Sequence, residues 1–269
     1  MSTYFELEIK DKIAHLAFNR PEKANALNGD AWKEMRNHFE SFSQNPEVRV
    51  VVLSGNGKHW CAGIDLELLM SLAEMQSIDC EGRKREQIRG FIEELQSCIN
   101  SIERCKKPVL AAIHNGCIGG GVDIATACDM RYCTTDAYFT VKEIDLGLVA
   151  DIGTLQRLPK IVAPGIAYEM AYTARKVFGP EAVQIGLVNR VFPEKESLLK
   201  EVMDIAQQIA EKSPLVVRGI KENIQFSREH SVAEGLKYIA TYNAAYVLSD
   251  DLMQAFQANM TKQKPTFKD

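Results

Sequence analysis

The first residues of the chain alternate between apolar and polar side chains. The stretch FELEIKDKIAHLAFN keeps this two-residue period on both sides of Asp11 and Lys12, which predicts a β-hairpin. Apolar side chains then recur at helical spacing at Trp32, Met35, Phe39 and Phe42. This spacing predicts a helix that is capped by Asn28 or Asp30. The β-branched run VRVVVLSG comes next and predicts a strand that is buried on both faces.

The middle of the chain repeats the order strand, turn, helix. Residues 66–86 have a mixed, charged pattern, and we interpret them as a mobile connection. An amphipathic helix then extends to Cys105, with apolar positions at Ile88, Phe91, Ile92, Leu95, Ile99 and Ile102. KPVLAAIHNG predicts a strand, CIGGGVDIATACD a turn and a helix, and MRYCTTDAYFTV two strands. This alternation favours an α/β fold.

Beyond about Pro193 the apolar pattern becomes helical throughout. It continues through LLKEVMDIAQQIAEK, LVVRGIKENIQFSRE and VAEGLKYIATYNAAYVL. We therefore predict a core over residues 1–195 and a helical C-terminal region over residues 196–269.

Charge, apolar run length, and cysteine and histidine spacing argue against several classes of function. A formal net charge of −4 argues against a nucleic-acid-binding surface, and no apolar run reaches the ~18 residues of a membrane span. The seven cysteines and five histidines show none of the usual zinc spacings, so no metal site is predicted. The N-terminus reads as a strand pair and KPTFKD is not a peroxisomal signal. A cytoplasmic location is therefore expected.

Two glycine-containing turns are the first candidates for a functional site. In GCIGGGVD, Gly119, Gly120 and Gly121 allow a close approach of the backbone and expose N–H groups at a helix N-terminus. The third glycine of the G-x-G-x-x-G dinucleotide fingerprint is absent, which excludes a Rossmann site. In HWCAGIDL, Gly63 leaves the N–H of Ile64 free to point into a cleft. Two such turns on neighbouring strands can direct two N–H groups at one carbonyl oxygen.

Five segments occur together and in a characteristic order: NRPEKANALN, CAGIDL, KPVLAAIHNGCIGGGVDIATACDMRYC, FTVKEIDLGL and GTLQRLPKIV. With them the chain resembles the crotonase family, also called the enoyl-CoA hydratase/isomerase superfamily, over residues 19–162. AVQIGLVNRVFP and the helical tail extend the match over nearly the whole chain. The resemblance implies a spiral of ββα units with C-terminal helices that build trimers, often paired into hexamers. It also implies a coenzyme A thioester substrate and no separate cofactor.

The resemblance also implies which residues form the site. The backbone N–H groups of Ile64 and Gly120 would form an oxyanion hole that stabilises the enolate of the thioester. Residues 66–90 would line the acyl tunnel. The coenzyme A contacts implied by position are Lys23, Ala24, Asn25, Ala62, Gly63, Asp65 and Leu66.

Three carboxylates decide which reaction is expected. Hydratases of the family use two glutamates, and this chain has the shorter Asp123 at the first position and Glu143 at the second. Where many members have Pro-Gly, the chain has Ala150 and Asp151. The set Asp123, Glu143 and Asp151 resembles that of the Δ3,5-Δ2,4-dienoyl-CoA isomerases of β-oxidation. The implied roles are proton removal at C2 by Asp151 and proton addition at C6 by Glu143, with Asp123 orienting or tuning a neighbour.

Other interpretations of these acids stay open. Asp123 could cap its own helix, Glu143 could pair with Lys142 or Arg157, and Asp151 could be a solvated loop acid. We interpret other polar or reactive side chains as structural or surface groups, namely Asp129, Asp145, His59, His114, Cys61 and Cys117. Alternative functions are a 2-enoyl-CoA hydratase, a Δ3,Δ2-enoyl-CoA isomerase, and a non-enzymatic homologue that binds coenzyme A or RNA.

Overall fold

Two β-sheets carry the architecture in the computed structural model, which describes residues 4–71 and 77–269. The larger sheet contains β1 (Phe5–Lys10), β2 (Ile13–Phe18), β3 (Val50–Gly55), β4 (Val109–Ile113), β6 (Met130–Thr134) and β9 (Arg190–Phe192). The smaller sheet contains β5 (Gly116–Ile118), β7 (Tyr138–Thr140) and β8 (Val177–Phe178). The strand orders are β1-β2-β3-β4-β6-β9 and β5-β7-β8.

The N-terminal hairpin and first helix have the predicted form. β1 and β2 pair in antiparallel register around Asp11 and Lys12, which have φ angles of 50° and 67°. The remaining pairs of the larger sheet are parallel. Helix α1 (Gly29–Gln44) is capped by Asn28, whose side-chain oxygen accepts a 2.9 Å hydrogen bond from the N–H of Ala31.

The chain passes repeatedly from the larger sheet to the smaller one. β4 of the larger sheet is followed by β5 of the smaller sheet and then by α4 (Gly120–Ala127), and β6 and β7 repeat the same order. This repeated unit confirms the predicted ββα spiral. Its geometry places the junction of β5 and α4, with its glycines, beside the loop that follows β3.

β3 separates two apolar cores, as the prediction of a doubly buried strand requires. Val51 and Leu53 pack with the apolar face of α1. Val50 and Val52 pack on the opposite face of the sheet with Leu198 and other residues of α8 (Lys195–Ala210). α8 begins at residue 195, where the core was predicted to end, and yet it packs on the sheet of that core. The division at residue 195 therefore stays a prediction.

The prediction of a mobile connection over residues 66–86 is wrong at both of its ends. α2 (Leu66–Ser71) and α3 (Glu81–Arg104) are helical there, while residues 72–76 lie outside the described residues. The first ten residues of α3 are largely exposed, so they carry no apolar period. Ion pairs between side chains three or four residues apart, such as Arg89 with Glu93 at 2.7 Å, support this half of the helix.

The remaining helices lie between the last strands or after them. They are α5 (Thr154–Arg157), α6 (Pro164–Thr173), α7 (Gly179–Gln184), α9 (Pro214–Glu229), α10 (Val232–Tyr246) and α11 (Asp250–Thr261). In the part of the chain that the structure describes, no helix combines the length and apolar character needed to cross a bilayer.

Candidate active site

The two glycine turns lie against each other. The segment after β3 runs beside β5, because the N–H of Cys61 donates to the carbonyl of Gly116 at 3.1 Å. A Cβ atom on Gly63 would lie 2.5 Å from the nitrogen of Gly120, and Gly63 has a φ of +78°. Both the space and the backbone conformation therefore require glycine at position 63.

Two free amide donors result from this contact. Leu27 pairs with the residues on either side of Ile64: its N–H donates to the carbonyl of Gly63, and its carbonyl accepts from the N–H of Asp65. Among the described residues, the N–H of Ile64 itself has no acceptor. Gly120 is the first residue of α4, where amides have no acceptor within the helix. A Cβ on Gly120 would lie 3.4 Å from the nitrogen of Ile64. The two N–H groups are thus neighbours, as an oxyanion hole requires.

Asp123 lies in the first turn of α4, three residues after Gly120, and is completely buried. One carboxylate oxygen accepts a 2.5 Å hydrogen bond from the N–H of Thr154, while the other has no hydrogen-bond partner. Burial and the nearby charge of Glu143 raise the pKa of Asp123 to about 7, against the lowering effect of the Thr154 bonds and Arg157. Asp123 makes no capping hydrogen bond to α4, so the capping interpretation is wrong.

Glu143 faces the same turn from the other side. It lies in a short 3-10 helix, Lys142–Leu146, and its Oε1 would be 3.2 Å from a Cβ atom on Gly119. Its Oε2 is buried without a hydrogen-bond partner. Burial raises the pKa of Glu143, and the charge of Asp151 raises it further. An apolar cavity of about 320 Å³ adjoins it.

The proposed ion-pair partners of Glu143 are engaged elsewhere. Lys142 pairs with Asp145, and Arg157 pairs with Glu103 at 2.8 Å. The ion-pair interpretation of Glu143 is therefore wrong. The surface pairing expected for Asp145 is confirmed.

Asp151 is more exposed than the other two acids. Its backbone carbonyl accepts a 2.7 Å hydrogen bond from the side-chain amide of Gln96. Partial burial raises the pKa of its carboxyl group. Because the charge of Asp151 acts on Glu143 and that of Glu143 acts on Asp123, the three acids form one electrostatically connected set.

The loop implied to bind coenzyme A is rigid and internally bonded. Asn25 is fully buried and donates to the carbonyls of Asn56 and His59 at 2.8 Å. Arg20 pairs with the buried Asp65 at 2.6 Å. Burial raises the pKa of Asp65, but hydrogen bonds from Arg20 and the backbone of Glu67, together with the charges of Arg20 and Lys23, make the net shift downward.

The other implied contacts lie along the rim of the same loop. Lys23 is exposed and 3.2 Å from Glu67, and Leu66 is exposed at the start of α2. The N–H of Ala62 donates to the carbonyl of Ala24 at 3.0 Å. The structure brings these residues together beside Gly63. It gives Asn25 and Asp65 roles in shaping the loop.

The remaining candidates have structural environments. Asp129 accepts hydrogen bonds at 2.8 Å from the N–H of Val109 and from Lys221, which confirms its structural role. His114 contacts the carbonyl of Gly57 at 3.0 Å. Burial raises the pKa of Cys61 to about 12, so its thiol is not a nucleophile. Among the described residues, no group of three or more His, Cys, Asp or Glu side chains is placed to hold a metal ion.

Four residues that the sequence does not single out as site residues support the acids or the loop. They are Arg20, Gln96, Thr154 and the Glu103 partner of Arg157. Arg20 lies in the NRPEKANALN segment, so the family resemblance of that segment could have identified it. The others act through backbone groups or across more than 50 residues of sequence, where no local pattern marks them.

Comparison with known proteins identifies close relatives. Residues 8–269 match a family model described as "Enoyl-CoA hydratase/isomerase". The chain is 50% identical to the peroxisomal Delta(3,5)-Delta(2,4)-dienoyl-CoA isomerase of Arabidopsis thaliana, over 99% of this chain and 98% of that protein. It is 47% identical to the mitochondrial protein of that name from Homo sapiens, over 91% and 75%. An enoyl-CoA hydratase structure from Bacillus anthracis matches with a TM-score of 0.87 at 28% identity, covering 98% of this chain and 99% of that one.

One expectation is corrected by these relatives. The prediction of a cytoplasmic location is wrong, because the two isomerases are described as peroxisomal and mitochondrial.

Proposed function

The chain belongs to the enoyl-CoA hydratase/isomerase family, and we propose that it is a Δ3,5-Δ2,4-dienoyl-CoA isomerase of fatty-acid β-oxidation. The observation that carries the proposal is a third carboxylate, Asp151, connected electrostatically to Glu143 beside the paired amides of Ile64 and Gly120. Hydration needs only two carboxylates, one on each side of a water molecule. A third acid suits a reaction that moves a proton along an extended chain.

The reaction moves one proton from C2 to C6 and shifts two double bonds by one carbon along the acyl chain. The C2–H bond of the 3,5-dienoyl thioester breaks, and its electrons form C2=C3. The C3=C4 bond moves to C4=C5, and the electrons of C5=C6 form a new C6–H bond. The intermediate carries its negative charge partly on the thioester oxygen, where the N–H groups of Ile64 and Gly120 stabilise it. No electrons enter or leave, so acids, bases and the hole suffice without a further cofactor.

We assign proton removal at C2 to Asp151 and proton addition at C6 to Glu143. The assignment needs one ionised and one protonated carboxyl group. Glu143 is the more deeply buried of the two, and burial together with the charge of Asp151 favours its protonated form. Asp123, whose pKa is raised by burial and by the charge of Glu143, orients or tunes its neighbour in this proposal. Lys23, Ala24 and Ala62, on the rim beside the hole, contact the coenzyme A moiety in this proposal.

A comparison of two substrates tests the proposed function. The enzyme is incubated with a 3,5-dienoyl-CoA and, separately, with crotonyl-CoA. We expect rapid formation of the ultraviolet-absorbing 2,4-dienoyl product, and hydration of crotonyl-CoA that is slower by at least about 10²-fold. Faster hydration than isomerisation would instead identify a 2-enoyl-CoA hydratase.

We also propose that the protein forms a trimer, or a hexamer made of two trimers, through its C-terminal helices. Large apolar side chains on α9, α10 and the turn that follows are exposed in the single chain, among them Ile220, Ile224, Leu236 and Leu248. Exposed apolar side chains that cluster on neighbouring helices are typical of a protein–protein contact surface. Light scattering coupled to size exclusion should give three or six subunits, and Ile224→Glu should lower this number. A monomeric wild-type protein would contradict the proposal.

A further inference from the structure

One face of α3 contacts the loop that carries Asp151. Gln96, Asn100 and Glu103 are spaced by four and three residues, so they share a face of the helix. All three are partly buried. We call this set the α3 polar face, and we call residues 151–157 the acid loop.

The α3 polar face holds the acid loop at both ends. At one end, the side-chain amide of Gln96 donates to the backbone carbonyl of Asp151 at 2.7 Å. At the other end, Nη2 of Arg157 donates to Asn100 at 2.7 Å and to Glu103 at 2.8 Å, while Nε donates to the same Glu103 oxygen at 3.1 Å. The guanidinium group of Arg157 is thus fixed by two residues of one helix.

The fixed guanidinium group supports the backbone that binds Asp123. Gly153 has a φ of +140°, and a Cβ atom there would lie 1.9 Å from Nη1 of Arg157. Arg157 therefore packs directly against Gly153, and the following N–H, that of Thr154, donates to Asp123 at 2.5 Å. Arg157 thus packs beside the donor that orients the buried acid.

The placement of these contacts links two of the three acids to one rigid support. Asp151 is held through its own carbonyl, and Asp123 is held through Arg157, Gly153 and the Thr154 amide. We propose that the α3 polar face is a positioning element of the isomerase, which holds Asp151, the base at C2, in place relative to the buried Asp123. This inference rests on the proposed function for its catalytic consequence, whereas its structural part concerns the acid loop alone.

The expected kinetic effect follows from the sensitivity of proton transfer to geometry. A misplacement of about 1 Å can cost ~10²-fold in rate. Gln96→Leu removes one donor at similar side-chain volume, and Glu103→Gln keeps an acceptor oxygen but removes the charge that fixes Arg157. We expect kcat on 3,5-dienoyl-CoA to fall about tenfold to a hundredfold in Gln96→Leu, with KM within about twofold. Glu103→Gln should show a smaller loss.

The matched control is Glu93→Gln on the same helix. Glu93 is exposed and pairs with Arg89 at 2.7 Å, so it makes no contact with the acid loop. Its kcat and KM should equal those of the wild type. A loss of thermal stability in Gln96→Leu with unchanged kcat would overturn the inference, because a merely structural contact predicts that result.

Hydrogen–deuterium exchange separates this inference from the proposed function. Backbone amides of residues 151–157 should exchange faster in Gln96→Leu and Glu103→Gln than in Glu93→Gln and the wild type. Equal exchange in all four proteins would overturn the inference whatever the activity. A wild-type enzyme without isomerase activity, but with faster exchange in the two variants, would refute the proposed function while the support of the acid loop stands.

The pH dependence of kcat gives a third readout. Asp123 is faced by Glu143 from the 3-10 helix, by Arg157 and Thr154 from the acid loop, and by Cys117 from β5. The Thr154 bonds and Arg157 lower the pKa of Asp123, so loosening them should move a pH limb governed by Asp123 upward. Unchanged limbs in both variants, together with unchanged kcat, would contradict the positioning role.

Discussion

The oxyanion hole and the acid loop lie side by side, but they are built from different parts of the chain. The proposed hole consists of the backbone amides of Ile64 and Gly120, in turns where a side chain on Gly63 would overlap the backbone. The acid loop carries Asp151 and is held by α3 through the backbone carbonyl of Asp151 and the side chain of Arg157. The hole therefore tolerates little change and suits any thioester enolate, whereas the acids can be exchanged to select the reaction.

The first prediction concerns the added side chain that would fill the hole. In Gly120→Ala, the added Cβ would lie 3.2 Å from Cα of Gly63 and 3.4 Å from the nitrogen of Ile64. The methyl group crowds both donors without a severe overlap. Because loss of one such donor typically costs ~10²–10³ in kcat, we expect a decrease of this size, measured with 3,5-dienoyl-CoA. Activity within about threefold of wild type would show that the amides do not form the hole.

The second prediction concerns the buried acid. The pKa of Asp123 is raised from 3.8 to about 7, so its protonated form is favoured in the fold. The associated stability is fully present below pH 3.8 and is lost as pH rises through about 7. Asp123→Asn keeps an acceptor for Thr154 and removes the charge. We expect it to stabilise the protein by roughly 2–3 kcal/mol more at pH 8 than at pH 5.

Urea unfolding at the two pH values measures this difference. The control is Asp145→Asn, because Asp145 is exposed at the surface and pairs with Lys142. Its effect should be nearly the same at both pH values. An equal effect of Asp123→Asn at pH 5 and pH 8 would mean that Asp123 has an ordinary pKa in the fold.

The smallest expected effect comes from Gly90, which, unlike the glycines of the two turns, has room for a side chain. Gly90 lies in the exposed half of α3, and a Cβ atom there would meet nothing within 4 Å. Gly90→Ala should therefore stabilise the protein by about 0.5–1 kcal/mol through helix propensity, with kcat unchanged. A destabilising result by thermal unfolding would mean that α3 is not helical at this position in solution.

The same contrast explains what could be predicted from the sequence. Periodic stretches such as that of Trp32 and Met35 encode burial directly, so the hairpin, α1 and β3 were predictable. The first half of α3 was missed because it is exposed and has no apolar period to reveal it. The glycine turns were recognisable because only glycine fits them. The contact of Gln96 with Asp151 was not predictable, since it joins a side chain to a backbone carbonyl 55 residues away.

Asp151→Asn removes the third carboxylate, and Asp145→Asn is the matched control on the neighbouring surface. We expect Asp151→Asn to lower kcat for conjugation of the 3,5-diene by about 10³-fold or more. We also expect loss of solvent deuterium exchange at C2, with the Kd for the thioester within about threefold of wild type. Asp145→Asn should retain all three properties. Near-wild-type conjugation by Asp151→Asn would contradict the assignment of this acid to the reaction.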